Sequence, residues 1–201
     1  MENLIVFAFV LYNFINPSYR TNVDSFFYNK YNIVIEDLNS IHELTEQEKK
    51  FVSHAGGKYG EFTYVNNYEA LKNSYDRGFR LIELDIEFTS DGYPVMLHSW
   101  DGFITSYFGV ESGRTYSYNQ FKSFKMVHGW HQLTFDDVIK YMDSEFTDMY
   151  LITDTKNDNR KLLDLIKNKY SYMQKRIIPQ VYSQDEYMYA KELGFDNIIY
   201  T

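Results

Sequence analysis

The sequence predicts an α/β protein, a mostly parallel sheet with helices packed outside it. Short apolar segments alternate with helix-length amphipathic ones from Phe51 to Thr201, the pattern of βα units. Reactive side chains fall at the downstream ends of those segments: His54, Glu83 with Asp85, His98, and Asp154 with Lys156. In a parallel α/β sheet these ends share one rim, so residues far apart in sequence converge there. Within Leu81-Ile82-Glu83-Leu84-Asp85-Ile86 the carboxylates alternate with aliphatics, the two-residue period of a strand with one polar face.

Taken in order, Phe51-Val52-Ser53-His54 reads as a strand, and Gly56-Gly57 allows a tight exit from it. Asn66 to Asp76 reads as a helix with Tyr68, Leu71 and Tyr75 on one face, stopped near Gly78. Strands Arg80 to Phe88 and Pro94 to His98 flank the turn signal Ser90-Asp91-Gly92. Trp100 to Gln132 shows no clear period and reads as a loop excursion above the rim. Thr134 with Asp137 three residues on is a capping pattern, opening a helix that holds Val138, Ile139 and Met142. A strand to Lys156, a helix with Leu162, Leu163, Leu165 and Ile166, and a strand from Arg176 to Tyr182 follow. A helix from Gln184 to Leu193 closed by Gly194, and a strand over Asn197-Ile198-Ile199-Tyr200, bring the count to six strands.

The chain has 201 residues, 44% of them hydrophobic, enough for one domain with a substantial core. A net charge of −8 argues against nucleic acid as a partner, because phosphate backbones need a clustered basic face. With no cysteine, thiol nucleophiles and thiolate metal sites are excluded. Residues 1–18 form a hydrophobic segment, nearly unbroken from Leu4 to Ile15 and ended by Asn16-Pro17. It is short for a bilayer span of about 20 residues, and Glu2 stands where a signal peptide wants a cation. Between a buried segment, a degraded signal and a membrane anchor, the expectation is membrane attachment, with a membrane-associated or extracytoplasmic location. Residues 19–50 read as a linker, with one strand candidate over Tyr31 to Glu36.

Glu83 and Asp85 on one face repel each other in a low-dielectric site, and a divalent cation is the usual remedy. Oxygen ligands favour Mg²⁺, Ca²⁺ or Mn²⁺ over zinc, and Asp154 could complete the site. Lys156 would place a fixed positive charge against a phosphate oxygen. His54 and His98 are candidates for general acid and base, since displacement at phosphorus must activate one oxygen and protonate another. Each feature alone has a bland reading: an edge strand in water, a surface ion pair, a structural histidine. Their recurrence on successive strands favours chemistry. His128 and His131 read as structural. Gln180, ending Ile177-Ile178-Pro179-Gln180, is a candidate to hydrogen-bond substrate from the rim or to face solvent.

The run Ser53-His54-Ala55-Gly56-Gly57, Asn66 through Ala70-Leu71, Gly78 to Ile86, then Thr89-Ser90-Asp91-Gly92-Tyr93-Pro94-Val95-Met96-Leu97-His98 resembles the glycerophosphodiester phosphodiesterase family. That family lies within the PI-PLC-like phosphodiesterase superfamily, with the bacterial phosphatidylinositol-specific phospholipases C and the sphingomyelinase D enzymes. The resemblance runs from about Phe51 to Thr201. It implies a TIM-type (β/α) barrel over residues 51–201, with His54 and His98 as acid and base. Glu83 and Asp85 would hold one divalent cation, Mg²⁺ or Ca²⁺, and Asp154-Thr155-Lys156 looks like the family's Glu-x-Lys. Asn66 is implied in substrate binding. The expected activity is metal-dependent hydrolysis of a phosphodiester small molecule or lipid headgroup, giving glycerol 3-phosphate and an alcohol.

Several positions depart from the family pattern. Ala55 stands where many members have Arg, and Val65 where they have Glu before the Asn. Ser99 and Trp100 follow the second histidine where Asp is usual, and Trp100 reads as an apolar wall for an alcohol or lipid moiety, or as a rim cap. Only six of the eight expected strands are countable, so the barrel reads as incomplete at its C-terminal end, as in a fragment of a longer protein. Two alternatives to the hydrolase therefore stand: a lyase that stops at a cyclic phosphate, and an inactive or binding-only membrane-anchored fragment.

Overall fold

The structure, a computed structural model, describes residues 44, 45, 48, 51–155 and 157–201. The hydrophobic segment 1–18, most of the linker 19–50 and Lys156 lie outside these. Strand β1 (Val52–Ser53) leads through a one-turn 3₁₀ helix (His54–Gly56) into a hairpin of β2 (Lys58–Tyr59) and β3 (Phe62–Thr63). Helix α1 (Tyr68–Asp76), β4 (Leu81–Phe88) and β5 (Pro94–Met96) come next. Helices α2 (Gly102–Phe108), α3 (Tyr118–Ser123) and α4 (Phe135–Ser144) precede β6 (Tyr150–Asp154). Helix α5 (Asn159–Lys169), β7 (Ile177–Val181), α6 (Gln184–Glu192) and β8 (Ile199–Tyr200) complete the order.

The six expected strands form one sheet in the order β1-β4-β6-β7-β8, all parallel, with β5 paired to β4. Strand β5 runs antiparallel, with Ile86 opposite Met96 and Phe88 opposite Pro94. Residues 89–93 are the cause: they close a turn in which the Gly92 amide donates to the Thr89 carbonyl at 2.8 Å, whereas a parallel return needs a crossover of a dozen residues or more. The hairpin therefore rises beyond the parallel sheet on β4 and comes back down on β5.

The alternation along β4 sorts the two layers. Ile82, Leu84 and Ile86 pack outward in one core with Leu71 of α1, Val138, Ile139 and Met142 of α4, and Leu162, Leu163 and Ile166 of α5. Leu81 faces the other way, with Tyr150, Ile152, Ile178, Ile199 and Leu44, into an apolar floor. Glu83 and Asp85 continue that inner face above the floor, in register with Ile152 and Asp154. The site is thus a polar layer set on a hydrophobic one.

Helix α4 begins as its sequence demands: Thr134 Oγ1 accepts from the Asp137 amide at 3.2 Å, and Asp137 Oδ2 accepts from the Thr134 amide at 3.0 Å. Helix α1 starts later than its apolar period suggests. Its cap is Asn67, whose Oδ1 accepts from the Ala70 amide at 2.8 Å, because Asn66 is engaged elsewhere.

The stretch from Trp100 to Gln132 is not a loop excursion. It folds as α2, α3 and a 3₁₀ turn (Val127–Gly129) around its own core of Trp100, Ile104, Phe108, Tyr116, Phe121 and Met126, closed onto Val95 and Leu97 of the hairpin. Helices of seven and six residues are too short to show a readable period.

Candidate active site at the sheet rim

The turn after β1 is built from backbone that ordinary residues avoid. Ala55 takes φ 49°, Asn66 φ 48° and Gly57 φ 95°. The left-handed Ala55 points its amide into the sheet, where it donates to Glu83 Oε2 at 2.6 Å. The Ala55 carbonyl accepts from the Asn66 amide at 3.1 Å, tying the two turns together. Behind them Ser74 Oγ donates to the Gly56 carbonyl at 2.7 Å and lies 2.7 Å from Ser53 Oγ.

Asn66 then clamps the second carboxylate. Its Nδ2 donates to Asp85 Oδ2 at 2.8 Å, and its Oδ1 accepts from the Asp85 amide at 3.0 Å. Asn66, Glu83 and Asp85 are all buried. Each carboxylate is therefore oriented by a fixed amide donor, which limits its choice of rotamer. His54 Nε2 lies 3.5 Å from Glu83 Oε2, with its ring edge-on to Tyr64.

Among the described residues, His54, Glu83 and Asp85 bring one ligand atom each within 4.8 Å of one another. The two buried carboxylates suit a hard divalent cation, which would neutralise charges that the inner face otherwise holds side by side, with the His54 imidazole next to it. Asp154, in register with Asp85 on the next strand, stands beside this group.

Tyr182, missed in the sequence, controls Asp154. Its hydroxyl donates to Asp154 Oδ1 and accepts from Gln180 Nε2 at 2.7 Å. Burial first, and then the bond to Asp154, hold the phenol pKa far above its ordinary value, so Tyr182 is a neutral donor at any working pH. The signal was present: Tyr182 follows Ile178 and Gln180 at the two-residue spacing of the inner face.

His98 is carried towards the level of the carboxylates by a route other than the one expected. It does not end a parallel strand. The returning β5 carries it down, and the Leu97 amide donates to the Asp85 carbonyl at 3.1 Å, which sets His98 one residue from the level of Asp85. The imidazole is exposed, with its ring centroid 6.2 Å from that of Phe103.

Three expected substrate contacts are placed differently. Trp100 is no wall at the rim: it is 8% exposed in the second core, and its Nε1 donates to the Phe88 carbonyl at 3.0 Å. The amide group of Asn66 is spent on Asp85, and the side-chain nitrogen of Gln180 on Tyr182. His128 stacks against Phe62 and Trp130, and His131 Nδ1 lies 2.6 Å from Glu69 Oε1.

A model of the glycerophosphoryl diester phosphodiesterase family matches residues 56–196, which contain the Glu83, Asp85 and His98 elements. The chain belongs to the glycerophosphoryl diester phosphodiesterase family. Its fold is the TIM-type barrel of that family, of which the described residues supply five parallel strands and the hairpin. A glycerophosphoryl diester phosphodiesterase from Parabacteroides distasonis superposes with a TM-score of 0.62 at 16% identity, over 84% of this chain and 60% of that one. The glycerophosphodiester phosphodiesterase of Agrobacterium tumefaciens gives 0.55 at 14%, over 71% and 61%. A phosphodiesterase of Oleispira antarctica, solved with the product sn-glycerol-3-phosphate, gives 0.52 at 14%, over 74% and 63%. The chain thus spans less than two thirds of each of these structures. None of the curated proteins compared with it matches.

Proposed function

We propose that this chain carries the site of a metal-dependent phosphoric diester hydrolase, acting on a glycerophosphodiester or a related lipid headgroup to give sn-glycerol 3-phosphate and an alcohol. The observation that carries the reading is the convergence of two amide-clamped carboxylates, Glu83 and Asp85, with His54, at the level to which the hairpin returns His98. In a family of phosphodiesterases this arrangement would serve displacement at phosphorus.

Glu83 and Asp85, with Asp154 beside them, would hold Mg²⁺ or Ca²⁺. When bound, the cation supplies positive charge to the non-bridging phosphate oxygens. His54, fixed against Glu83, and His98, open to solvent, then divide the proton work: one takes the proton of the attacking oxygen and the other gives a proton to the leaving one. Tyr182 keeps one oxygen of Asp154 occupied and so turns the carboxylate. Lys156 belongs to the same reading as a fixed charge opposite the phosphate, and residues 1–18 as the membrane attachment.

The test is ³¹P NMR of glycerophosphocholine with the purified chain, in EDTA and after adding Mg²⁺ or Ca²⁺, beside His98→Ala. The expected result is metal-dependent appearance of a linear phosphomonoester, lost by a factor of about 10² to 10⁴ in the variant. Accumulation of a cyclic phosphate instead would make the chain a lyase. No turnover by the folded, metal-loaded chain would favour the binding-only alternative.

A further inference from the structure

Beside the site stands a ridge of rings that the chemistry does not use, exposed at Tyr59, Phe62 and His128 and half-buried at Trp130. Tyr59 and Phe62, paired across the β2–β3 hairpin, are 39% and 38% exposed and stand together rather than singly. They meet two rings from the 127–130 turn: Phe62 lies 4.8 Å from His128 and 5.0 Å from Trp130, and Tyr59 lies 6.0 Å from Trp130. The ridge is continuous with both histidines. Through Tyr107 and Phe103 it runs to His98, and through Thr63 and Tyr64 it reaches His54.

The geometry decides what such a ridge can take. Phe62 and Tyr59 meet Trp130 edge to face, at 77° and 80°, so the rings are packed on one another. They do not spread around a ring-lined space in which a cation could sit. What they present is a ridge of rings with polar edges, the chemistry enriched where bilayer headgroups meet water. The charge pattern agrees. In a chain of net charge −8, no acid occurs from Ser112 to Phe135, while Arg114, Lys122 and Lys125 do. Arg114 and Lys122 turn towards Glu111 and Asp137 outside that stretch, and Lys125 lies exposed two residues before the turn. Lys58 and Glu61 bring one charge of each sign to the hairpin. The apolar run from Leu4 to Ile15 supplies a second feature suited to a membrane.

We propose that Tyr59, Phe62, His128 and Trp130 form a docking ridge for a phospholipid bilayer, seated among the headgroups so that lipid-borne phosphodiesters reach His54 and His98 directly. This rests on the phosphodiesterase reading for its purpose, but its test does not depend on turnover.

The chain has two tryptophans, and Trp100 is buried and hydrogen-bonded, so Trp130 reports on the ridge. The full chain is mixed with phosphatidylcholine vesicles whose acyl chains carry bromine near the headgroup. The expected result is a blue shift of the emission and loss of most of the Trp130 signal, absent in Trp130→Phe. Phe62→Ser should weaken vesicle partition about tenfold, the share of one large side chain leaving water. Binding to vesicles without quenching would mean that another segment, such as residues 1–18, makes the contact, and would overturn the proposal. So would no binding, or emission already blue-shifted and unchanged by lipid, the sign of a ridge covered by the chain itself. Quenching without phosphodiesterase activity would keep the ridge and remove the hydrolase.

Discussion

Asn66 bears most of the positional burden at the site, and its replacement separates two physical costs. The residue holds φ 48° and spends both amide atoms on Asp85, at 2.8 Å to the carboxylate and 3.0 Å from the backbone amide, while buried. Asn66→Gly keeps the left-handed backbone and removes both bonds. A buried bond to a charged group contributes about 1.5–3 kcal/mol and a neutral one about 1, so the loss should be ~3 kcal/mol. Asn66→Ala removes the same bonds and adds the left-handed penalty of a residue with Cβ, about 1 kcal/mol more. Urea denaturation in EDTA measures both, and the order should be wild type, then Gly, then Ala. A calorimetric titration with Mn²⁺ should show weaker binding in both variants, since Asp85 is no longer held. If Asn66→Gly unfolds within about 0.5 kcal/mol of wild type, the clamp contributes little and the reasoning fails.

Gly57 should be harder to replace than Gly60. A Cβ at Gly57 would stand 2.2 Å from Ser74 Oγ and 2.5 Å from Ser53 Oγ, whereas one at Gly60 meets nothing within 4 Å, so Gly57→Ala should cost ~3 kcal/mol or more and Gly60→Ala about 1. Thermal unfolding of the two variants makes the comparison, and equal losses would refute the clash. Burial works to raise the Asp137 carboxyl pKa, but the Thr134 hydroxyl and amide and Lys122 outweigh it, leaving the pKa below its ordinary 3.8. A depressed folded pKa gives stability that is present above the unfolded value and lost as pH falls through the folded one. Asp137→Asn should therefore lower stability at pH 7 and flatten the acid limb of the stability profile below about pH 4. An acid limb as steep as in wild type would place that sensitivity elsewhere.

Much of this arrangement was legible in the sequence because it is local. The alternation in Leu81 to Ile86 dictates which face carries Glu83 and Asp85, and Thr134 with Asp137 announces its own capping box. The parts that were not legible are those decided by neighbours. The role of Asn66 depends on a left-handed turn; asparagine favours that conformation more than other side chains do, but nothing local chooses Asn66 for it over Asn67. The amide of Ala55 has no side-chain signature at all, so its bond to Glu83 appears only once the turn is built. Trp100 looks like a rim residue until two six- to seven-residue helices form a core around it. His98 comes back to within one residue of the level of Asp85 although its strand runs the opposite way, because the short turn at 89–93 folds β5 back onto β4.

The clamped carboxylates of β4 are proposed to hold one divalent cation, and calorimetric titration of the full chain with Mg²⁺, Ca²⁺ and Mn²⁺, beside Glu83→Gln and Asp85→Asn, tests this most directly. The expected result is one site per chain, with affinity reduced at least tenfold in each variant while the fold persists, because a charged oxygen ligand becomes a neutral amide. Binding of equal strength in wild type and both variants, or none in a folded wild-type chain, would contradict it.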